Sequence, residues 1–250
     1  MPTKAIVKKR KALLIGLNYT GTANSLNGCI NDVTEMKKEV MKVWGMTEQD
    51  IILKTDKDLT KDKGVIMYLN ELVKGAQSGD LFFFHYSGHG LQVPDDDGDE
   101  ADGLDEALYT PHEIVRDDEI SKILMKLPKD CTMIMIFDCC HSGTMADLMY
   151  QYSNNVESRY ANYNKYKCNV ITISGCQDNQ CSADAWIFKR LSFYGALTAT
   201  LLEIFGKINS KMVWKDVIDQ AVDKVKKDGY EQIPQFCATQ QSLLRSKVKI

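Results

Sequence analysis

Short apolar runs alternate with amphipathic segments along most of the 250-residue chain. The run ALLIGL at 12–17 is typical of a buried strand, whereas apolar residues in 30–44 recur at helical spacing. Strands that alternate with helices predict an α/β fold with a mostly parallel central sheet flanked by helices on both faces. The predicted strands are 12–17, 50–54, 80–86, 131–137, 169–174 and 235–238, and the predicted helices are 30–44, 60–76 with Thr60 as its N-cap, 117–127, 193–206 and 212–227.

Composition excludes several classes of protein. The chain is 44% hydrophobic with a net charge of -3, which suits a globular core and gives no reason to expect a nucleic-acid partner. No apolar run reaches the roughly 18 residues of a membrane span, and the start MPTKAIVKKRK is not a secretory signal. The eight cysteines form no CxxC pair. We therefore expect free thiols, a cytoplasmic location and no membrane partner.

Two loops combine residues suited to nucleophilic catalysis. SGHG at 87–90 follows the third predicted strand and DCCHSG at 138–143 follows the fourth, where sites in parallel sheets lie. A cysteine nucleophile needs a nearby base. His89 stands between two glycines that leave the imidazole accessible, so it is the preferred base. The other histidines are a predicted core residue, a loop residue and the neighbour of a cysteine: His85, His112 and His141.

Either of two adjacent cysteines is a candidate nucleophile. Cys139 lies nearer the strand and is expected to point into the core, whereas Cys140 lies at the turn. Backbone amides of Cys140 and Gly90 are the expected oxyanion donors, which favours Cys140. One alternative is that both cysteines are buried structural thiols. Another is redox sensing by the pair, although vicinal cysteines form only a strained disulfide.

Five stretches together resemble the metacaspases, caspase-like cysteine peptidases of the caspase–hemoglobinase fold. The resemblance implies one peptidase domain over 1–250, with a large-subunit-like part at 11–149 and a small-subunit-like part at 168–250. It selects Cys140 as nucleophile and His89 as base. The proline-rich extension of many type I members is not present, so recruitment through a prodomain is not expected. The five stretches are YSGHG (86–90), DGDEADGLDEALYTP (97–111), DDE (117–119), IFDCCHSG (136–143) and ISGCQDNQCSADA (173–185).

The same resemblance implies an acidic specificity pocket. Metacaspases cleave after Arg or Lys, and the pocket maps onto Asp32 and Asp138 with Cys29 and Ser87 beside them. Carboxylates are the natural partners of a cationic side chain in a desolvated pocket. Taken alone, Asp138 also suits a loop-stabilising cap, and Asp32 suits charge stabilisation of a helix N-terminus.

Residues 95–106 hold eight of the 34 acidic residues. They do not form an EF-hand, because Glu100 occupies the position where glycine is required and no helix precedes the loop. The resemblance implies instead a discontinuous Ca²⁺ site. The alternative is a solvated acidic surface, which is the usual meaning of a run of charge. The implied calcium ligands are Asp105, Asp117, Asp118 and Asp147.

The predicted function is therefore a calcium-dependent cysteine endopeptidase that cleaves peptides and proteins after Arg or Lys. By the resemblance, the chain is expected to be a monomer. The alternative is a calcium-responsive scaffold or pseudoenzyme with the same fold. The polar stretch 150–167 is predicted to be a mobile connecting loop. It offers Arg159, Lys165 and Lys167 as self-cleavage points, although a plain loop is the simpler interpretation.

Overall fold

The computed structural model describes residues 9–94, 103–140, 142, 145–160, 166–175, 184–187 and 192–248. The helices are α1 (Cys29–Trp44), α2 (Val65–Val73), α3 (Asp117–Leu124), α4 (Ala196–Phe205) and α5 (Trp214–Lys227). The strands are β1 (Arg10–Gly16), β2 (Ile51–Thr55), β3 (Leu81–Ser87), β4 (His89–Pro94), β5 (Leu104–Tyr109), β6 (Ile114–Arg116), β7 (Thr132–Asp138), β8 (Tyr150–Ser153), β9 (Val156–Arg159), β10 (Asn169–Ser174), β11 (Asp184–Ile187), β12 (Ser192–Gly195) and β13 (Gln235–Ala238).

The central sheet has eight strands in the order β2-β1-β3-β7-β10-β13-β8-β9. The first five run parallel to one another, and the last three pair antiparallel. Helices α1, α4 and α5 pack on one face of the sheet, while α2 and α3 pack on the other. The predicted fold class is confirmed. No helix in the described part of the chain is long and apolar enough to cross a bilayer.

Consecutive residues of the central strands alternate between two hydrophobic cores. Leu81 and Phe83 of β3 belong to the core beneath α1 and α4, and Phe82 and Phe84 belong to the core beneath α2 and α3. All four side chains are fully buried. Burial of each is worth about 1.5–3 kcal/mol relative to exposure, so the uninterrupted apolar run itself fixes β3 at the centre of the sheet.

The start of α2 differs from the prediction. Thr60 does not cap a helix; it forms a short turn with Lys63 through two main-chain hydrogen bonds. The helix begins at Val65, whose N–H donates to the carboxylate of Glu113 at 2.6 Å. This carboxylate lies 48 positions along the chain and satisfies a helix N-terminus from outside it. A local pattern carries no trace of such a partner.

The predicted mobile connection at 150–167 is wrong over most of its length. Strands β8 and β9 form a hairpin that extends the central sheet, and β8 pairs with β13. Asn154 and Asn155 form the two-residue turn, both with positive φ (47° and 64°). Adjacent asparagines suit such a turn, so the hairpin signal was present in the sequence. Lys165 lies outside the described residues.

A second, three-stranded sheet was not predicted. Strand β4 follows β3 after one residue and pairs antiparallel with β5, which pairs with β6. Strand β4 is only partly buried, β5 contains two acidic residues and β6 has three residues, so none of them shows the apolar run that identifies the central strands. Because β4 begins at His89, this small sheet fixes the direction in which the chain leaves β3.

Candidate active site

The two predicted catalytic loops lie side by side. Strands β3 and β7 are neighbours, and their last residues, Ser87 and Asp138, pair in register. Beyond the strands the contact continues, because the N–H of Gly88 donates to the carbonyl oxygen of Asp138 at 3.3 Å. The expectation that these strands are adjacent is confirmed. His89 and Cys140 therefore each follow directly after a paired strand end.

Gly90 packs directly against the cysteine pair. A Cβ atom added there would lie 2.0 Å from the carbonyl oxygen of Cys140 and 3.1 Å from the Sγ of Cys139. No side chain fits at this point, which explains why glycine follows His89. The base-bearing and nucleophile-bearing segments are thus in backbone contact. The oxyanion role expected of the Gly90 and Cys140 amides stays a prediction.

The two cysteines differ in exposure. Cys139 is fully buried, as expected, and its carbonyl accepts a hydrogen bond from Ser142 Oγ at 2.9 Å. Cys140 is partly exposed. A nucleophile must reach a substrate, so the difference in exposure favours Cys140. All six cysteines in the described part of the chain are free thiols, whereas Cys176 and Cys181, like His141, lie outside it.

The imidazole of His89 is oriented by a main-chain oxygen. Its Nε2 lies 2.8 Å from the carbonyl oxygen of Asn24, in the loop between β1 and α1. Because a carbonyl oxygen only accepts, Nε2 carries the hydrogen, and Nδ1 is the nitrogen that can accept a proton from a thiol. No sequence pattern singles out Asn24, since the group is a backbone carbonyl that any residue supplies.

The four residues of the predicted specificity pocket come together in a buried cluster. Ser87 Oγ donates to Asp32 at 2.6 Å, and the N–H of Gly195 donates to both oxygens of Asp32 at 3.0 and 3.1 Å. The N–H of Thr198 donates to Asp138 at 2.8 Å. Cys29 is the first residue of α1, with Asp32 in the same turn, and is also buried.

Both carboxylates hold the N-terminal end of α4. Asp138 accepts the Thr198 N–H in the first turn of α4, and Gly195 is the residue directly before that helix. A Cβ atom at Gly195 would lie 2.1 Å from an oxygen of Asp138, so this carboxylate touches the backbone there. Asp138 thus stabilises the first turn of α4, which differs from the loop-stabilising cap considered for it from the sequence. This role is compatible with binding a cation, because each carboxylate oxygen has two lone pairs.

The four predicted calcium ligands, unlike the specificity-pocket residues, do not come together in one cluster. Asp105 is paired with Arg116 at 3.0 Å, and Asp118 with Lys122 at 2.9 Å. Asp117 and Asp147 are buried, and Asp147 accepts a hydrogen bond from Ser121 at 3.2 Å. Among the described residues, no three His, Cys, Asp or Glu side chains are grouped to hold a metal. The oxygen donors suit Ca²⁺, but the arrangement with Arg116 and Lys122 in place does not gather them.

Asp117 and Asp147 share a neighbourhood with Tyr166. Burial raises the pKa of the Tyr166 hydroxyl above its usual range, and the negative charges of Asp147 and Asp117 add to the rise. The Tyr166 hydroxyl lies 2.7 Å from Ser121 Oγ and 2.7 Å from the carbonyl of Ala146. Two of the four acids, Asp117 and Asp147, thus both lie near the hydroxyl of Tyr166.

Comparison with known proteins identifies the family. A model of the metacaspase, peptidase C14 domain matches residues 10–149. The chain belongs to the metacaspase family. Metacaspases are caspase-like cysteine peptidases, so the predicted family and its caspase–hemoglobinase fold are both confirmed.

Fungal metacaspases are among the similar curated proteins. Metacaspase-1 of Schizosaccharomyces pombe is 32% identical over 91% of this chain and 67% of its own length. Metacaspase-1 of Cryptococcus neoformans is 43% identical over 58% of this chain and 34% of its own. Metacaspase-1 of Yarrowia lipolytica is 31% identical over 92% of this chain and 62% of its own length. The chain thus spans about one third to two thirds of these relatives.

A solved structure also matches nearly the whole chain. The crystal structure of a protein from Geobacter sulfurreducens superposes with a TM-score of 0.71 and 26% sequence identity. The match covers 96% of this metacaspase chain and 98% of the bacterial one. The large-subunit-like and small-subunit-like parts are therefore both included in the structural likeness.

Proposed function

We propose that this metacaspase is an active cysteine endopeptidase in which Cys140 is the nucleophile and His89 the base. The observation that carries the proposal is the contact between Gly90 and the Cys139–Cys140 backbone, which brings the two loops together. The hydrogen bond from His89 Nε2 to Asn24 supports it, since it leaves Nδ1 as the proton acceptor.

The proposed reaction is acyl transfer. The Cys140 sulfur attacks the scissile carbonyl while its proton passes to His89 Nδ1. The oxyanion accepts hydrogen bonds from the backbone amides of Gly90 and Cys140. His89 then protonates the leaving amine, and the C–N bond breaks to give a thioester on Cys140. Water, deprotonated by His89, hydrolyses the thioester and releases the thiol.

A fluorogenic peptide that ends in Arg before the leaving group tests the activity. Cleavage by the wild-type protein with and without calcium, beside Cys140→Ala, separates an enzyme from a calcium-responsive scaffold. We expect turnover in the wild type and none in Cys140→Ala. Cys139→Ala is the matched control and should keep most of the activity. Equal rates in the wild type and Cys140→Ala would rule out this nucleophile.

For specificity, the proposal assigns Asp32 and Asp138 to a P1 Arg or Lys, with Cys29 and Ser87 beside them. Two buried carboxylates in one cluster supply the negative charge that a desolvated cation needs. Asp138→Asn keeps an acceptor for the Thr198 N–H while removing the charge. We expect kcat/KM for P1 Arg to fall at least about 30-fold, as for loss of a buried charge partner. A P1 Gln peptide should not suffer the same loss.

Calcium dependence is a further part of the proposal. Asp105, Asp117, Asp118 and Asp147 would hold the ion after Arg116 and Lys122 release their carboxylates. Bound Ca²⁺ would neutralise the acids and order the segment that carries Asp147, seven residues beyond Cys140. Calcium titration by calorimetry should show binding that Asp117→Ala plus Asp118→Ala abolishes. Unchanged binding and unchanged calcium-dependent rates in that double variant would contradict the assignment.

Monomeric assembly and a cytoplasmic location complete the proposal. Strand β13 is paired on both sides, by β10 and β8, so it offers no edge for a partner. Light scattering of the purified chain tests the monomer. The free thiols support a reducing compartment.

Self-cleavage is proposed after Lys167, which lies outside the β8–β9 hairpin. Arg159 lies in β9, paired with Tyr150, whereas Lys167 is exposed just before β10. Mass spectrometry of the incubated protein would locate the cut, and a cut after Arg159 would require β9 to leave the sheet.

A further inference from the structure

The loop between β1 and α1 covers one side of the proposed base. Asn24, in this loop, holds the imidazole through its carbonyl, and Tyr19 lies against the same ring. The ring centroids of Tyr19 and His89 are 4.7 Å apart with the planes tilted by 37°. The distance and tilt are those of packed aromatic rings. His89 is therefore held from one side by a segment about 70 positions earlier in the chain.

The Tyr19 hydroxyl also bonds to the main chain of the base. It accepts the N–H of His89 at 2.9 Å and donates to the carbonyl of Tyr109 at 2.5 Å. The Tyr86 hydroxyl lies 3.0 Å away and bonds to the carbonyls of Tyr109 and His89. An N–H can only donate, so Tyr19 must be the acceptor in the first of these bonds.

Tyr19 keeps its proton and is itself tightly held. Burial raises the pKa of its hydroxyl above the usual range, so the group remains a neutral donor to Tyr109. Its backbone has φ 49°, a left-handed conformation that is unfavourable for a bulky residue. The carboxylate of Asp56 fixes this turn by accepting the N–H of Tyr19 at 3.0 Å and the N–H of Thr20 at 3.2 Å.

Gly88 packs against the hydroxyls of Tyr19 and Tyr86, where no side chain would fit. A Cβ atom at Gly88 would lie 2.8 Å from the Tyr19 hydroxyl and 2.8 Å from that of Tyr86. The two glycines of SGHG thus have different partners: Gly88 admits the tyrosine hydroxyls, and Gly90 admits the Cys140 carbonyl. The hydrogen bonds described for the two hydroxyls are made with His89, with the Tyr109 carbonyl and with each other.

We propose that Tyr19 is a positioning residue for the base, fixing the backbone and the ring of His89 through one hydroxyl and one aromatic face. The inference rests on the proposed peptidase function. Tyr19 touches no reacting atom; it acts through His89. Its role differs from core packing because the hydroxyl, and not only the ring, holds His89, by accepting the hydrogen bond of its N–H.

Tyr19→Phe tests the hydroxyl while keeping the ring. The matched control is Tyr68→Phe, a buried tyrosine of the same hydrophobic core whose hydroxyl donates to the Asp58 carbonyl at 3.3 Å, away from the site. We expect kcat of Tyr19→Phe to fall about 10- to 100-fold with KM nearly unchanged, the size of effect that slight misplacement of a catalytic group has. The acid limb of the pH–rate profile should shift. Tyr68→Phe should leave both unchanged.

A second variant tests the anchor of the loop. Asp56→Ala releases the Tyr19 turn, and Asp50→Ala, which removes an equivalent side-chain cap from Thr47, is its control. We expect a fall of kcat in Asp56→Ala alone. Matched melting temperatures in each pair would exclude a difference in folding.

Alkylation separates failure of this inference from failure of the peptidase. Iodoacetamide reacts with thiolate, so the pH dependence of Cys140 labelling, followed by peptide mapping, reports the base without any substrate. The inference predicts a shifted labelling profile in Tyr19→Phe. A profile and kcat equal to those of Tyr68→Phe would overturn it. If Cys140 of the wild type is alkylated with the same pH dependence as in Tyr68→Phe, and with a different one in Tyr19→Phe, but no peptide is cleaved, only the proposed function is overturned.

Discussion

The dyad loops and the acidic cluster, our name for the four predicted calcium ligands Asp105, Asp117, Asp118 and Asp147, are held in different ways. In the dyad region most partners are backbone groups: the Asn24 carbonyl on His89, the Cys140 carbonyl against Gly90, and the N–H groups of Gly195 and Thr198 on Asp32 and Asp138. The Ser87 hydroxyl on Asp32 is a side-chain partner, and it is itself buried. In the acidic cluster the partners of Asp105 and Asp118 are the charged ends of two long side chains, Arg116 and Lys122. Backbone partners cannot be exchanged, whereas side-chain partners can. The comparison indicates a preformed catalytic scaffold beside a convertible cluster.

Gly90→Ala is the change that should break the rigid region most severely. The added methyl would meet the Cys140 carbonyl oxygen at 2.0 Å and the buried Cys139 Sγ at 3.1 Å. A backbone oxygen cannot rotate away as the end of a flexible side chain can. We expect peptidase activity to fall at least about 100-fold. Gly206→Ala is the control, since its methyl would lie 3.3 Å from the nearest atom. Substantial activity in Gly90→Ala would mean that the loops are not in this contact.

Acid should lower the free energy of unfolding through protonation of His85, which lies in β3 beside the rigid region. This buried imidazole lies under α4, 3.1 Å from the Thr198 hydroxyl, and burial lowers its pKa from 6.5 to about 3. The unfolded chain therefore binds a proton that the folded chain excludes, and stability is lost as the pH falls from 6.5 towards 3. At pH 5 the loss is about 2 kcal/mol.

Urea unfolding at pH 7 and pH 5 measures this loss. His85→Gln should remove most of the difference between the two pH values, whatever it does to stability at pH 7. His112→Gln, at an exposed loop position, should keep the difference. A pH dependence that is the same in both variants would mean that His85 is not the group responsible.

Arg116→Gln tests the acidic cluster, because it should lower the stability of the calcium-free protein and raise its affinity for calcium. Removing the guanidinium leaves Asp105 without its ion pair, so the calcium-free protein should lose up to about 1 kcal/mol of stability. The same change removes a competitor for Ca²⁺, so calcium affinity should rise up to about fivefold. Calorimetry and thermal melts measure both. Arg245→Gln, which breaks a surface pair with Glu157, is the control. A calcium affinity that is unchanged or weaker in Arg116→Gln would contradict the assignment of Asp105 as a ligand.

The central strands were predictable because burial on both faces leaves an apolar run in the sequence. Strands β1, β3, β7 and β10 follow such runs, and their adjacency places SGHG beside DCCHSG. The β8–β9 hairpin was missed because its residues are polar and its signal is a turn, Asn154–Asn155, rather than a run. The start of α2 was misplaced because its cap, Glu113, comes from a distant segment.

The candidate site divides in the same way. Cys140 and His89 carry reactive side chains at the ends of apolar runs, which a sequence displays directly. The Asn24 carbonyl and the Tyr19 hydroxyl act on His89 from a loop whose path only the fold reveals. Reactive groups are visible in a sequence; the groups that orient them are visible only in three dimensions.

The most direct test of the paired loops is covalent labelling of the nucleophile. A peptidyl acyloxymethyl ketone ending in Arg, applied to the wild type, His89→Ala and Cys139→Ala, gives an adduct that mass spectrometry assigns to one residue. The account predicts an adduct on Cys140 in the wild type and in Cys139→Ala, and almost none in His89→Ala. An adduct on Cys139, or equal labelling of Cys140 without His89, would contradict it.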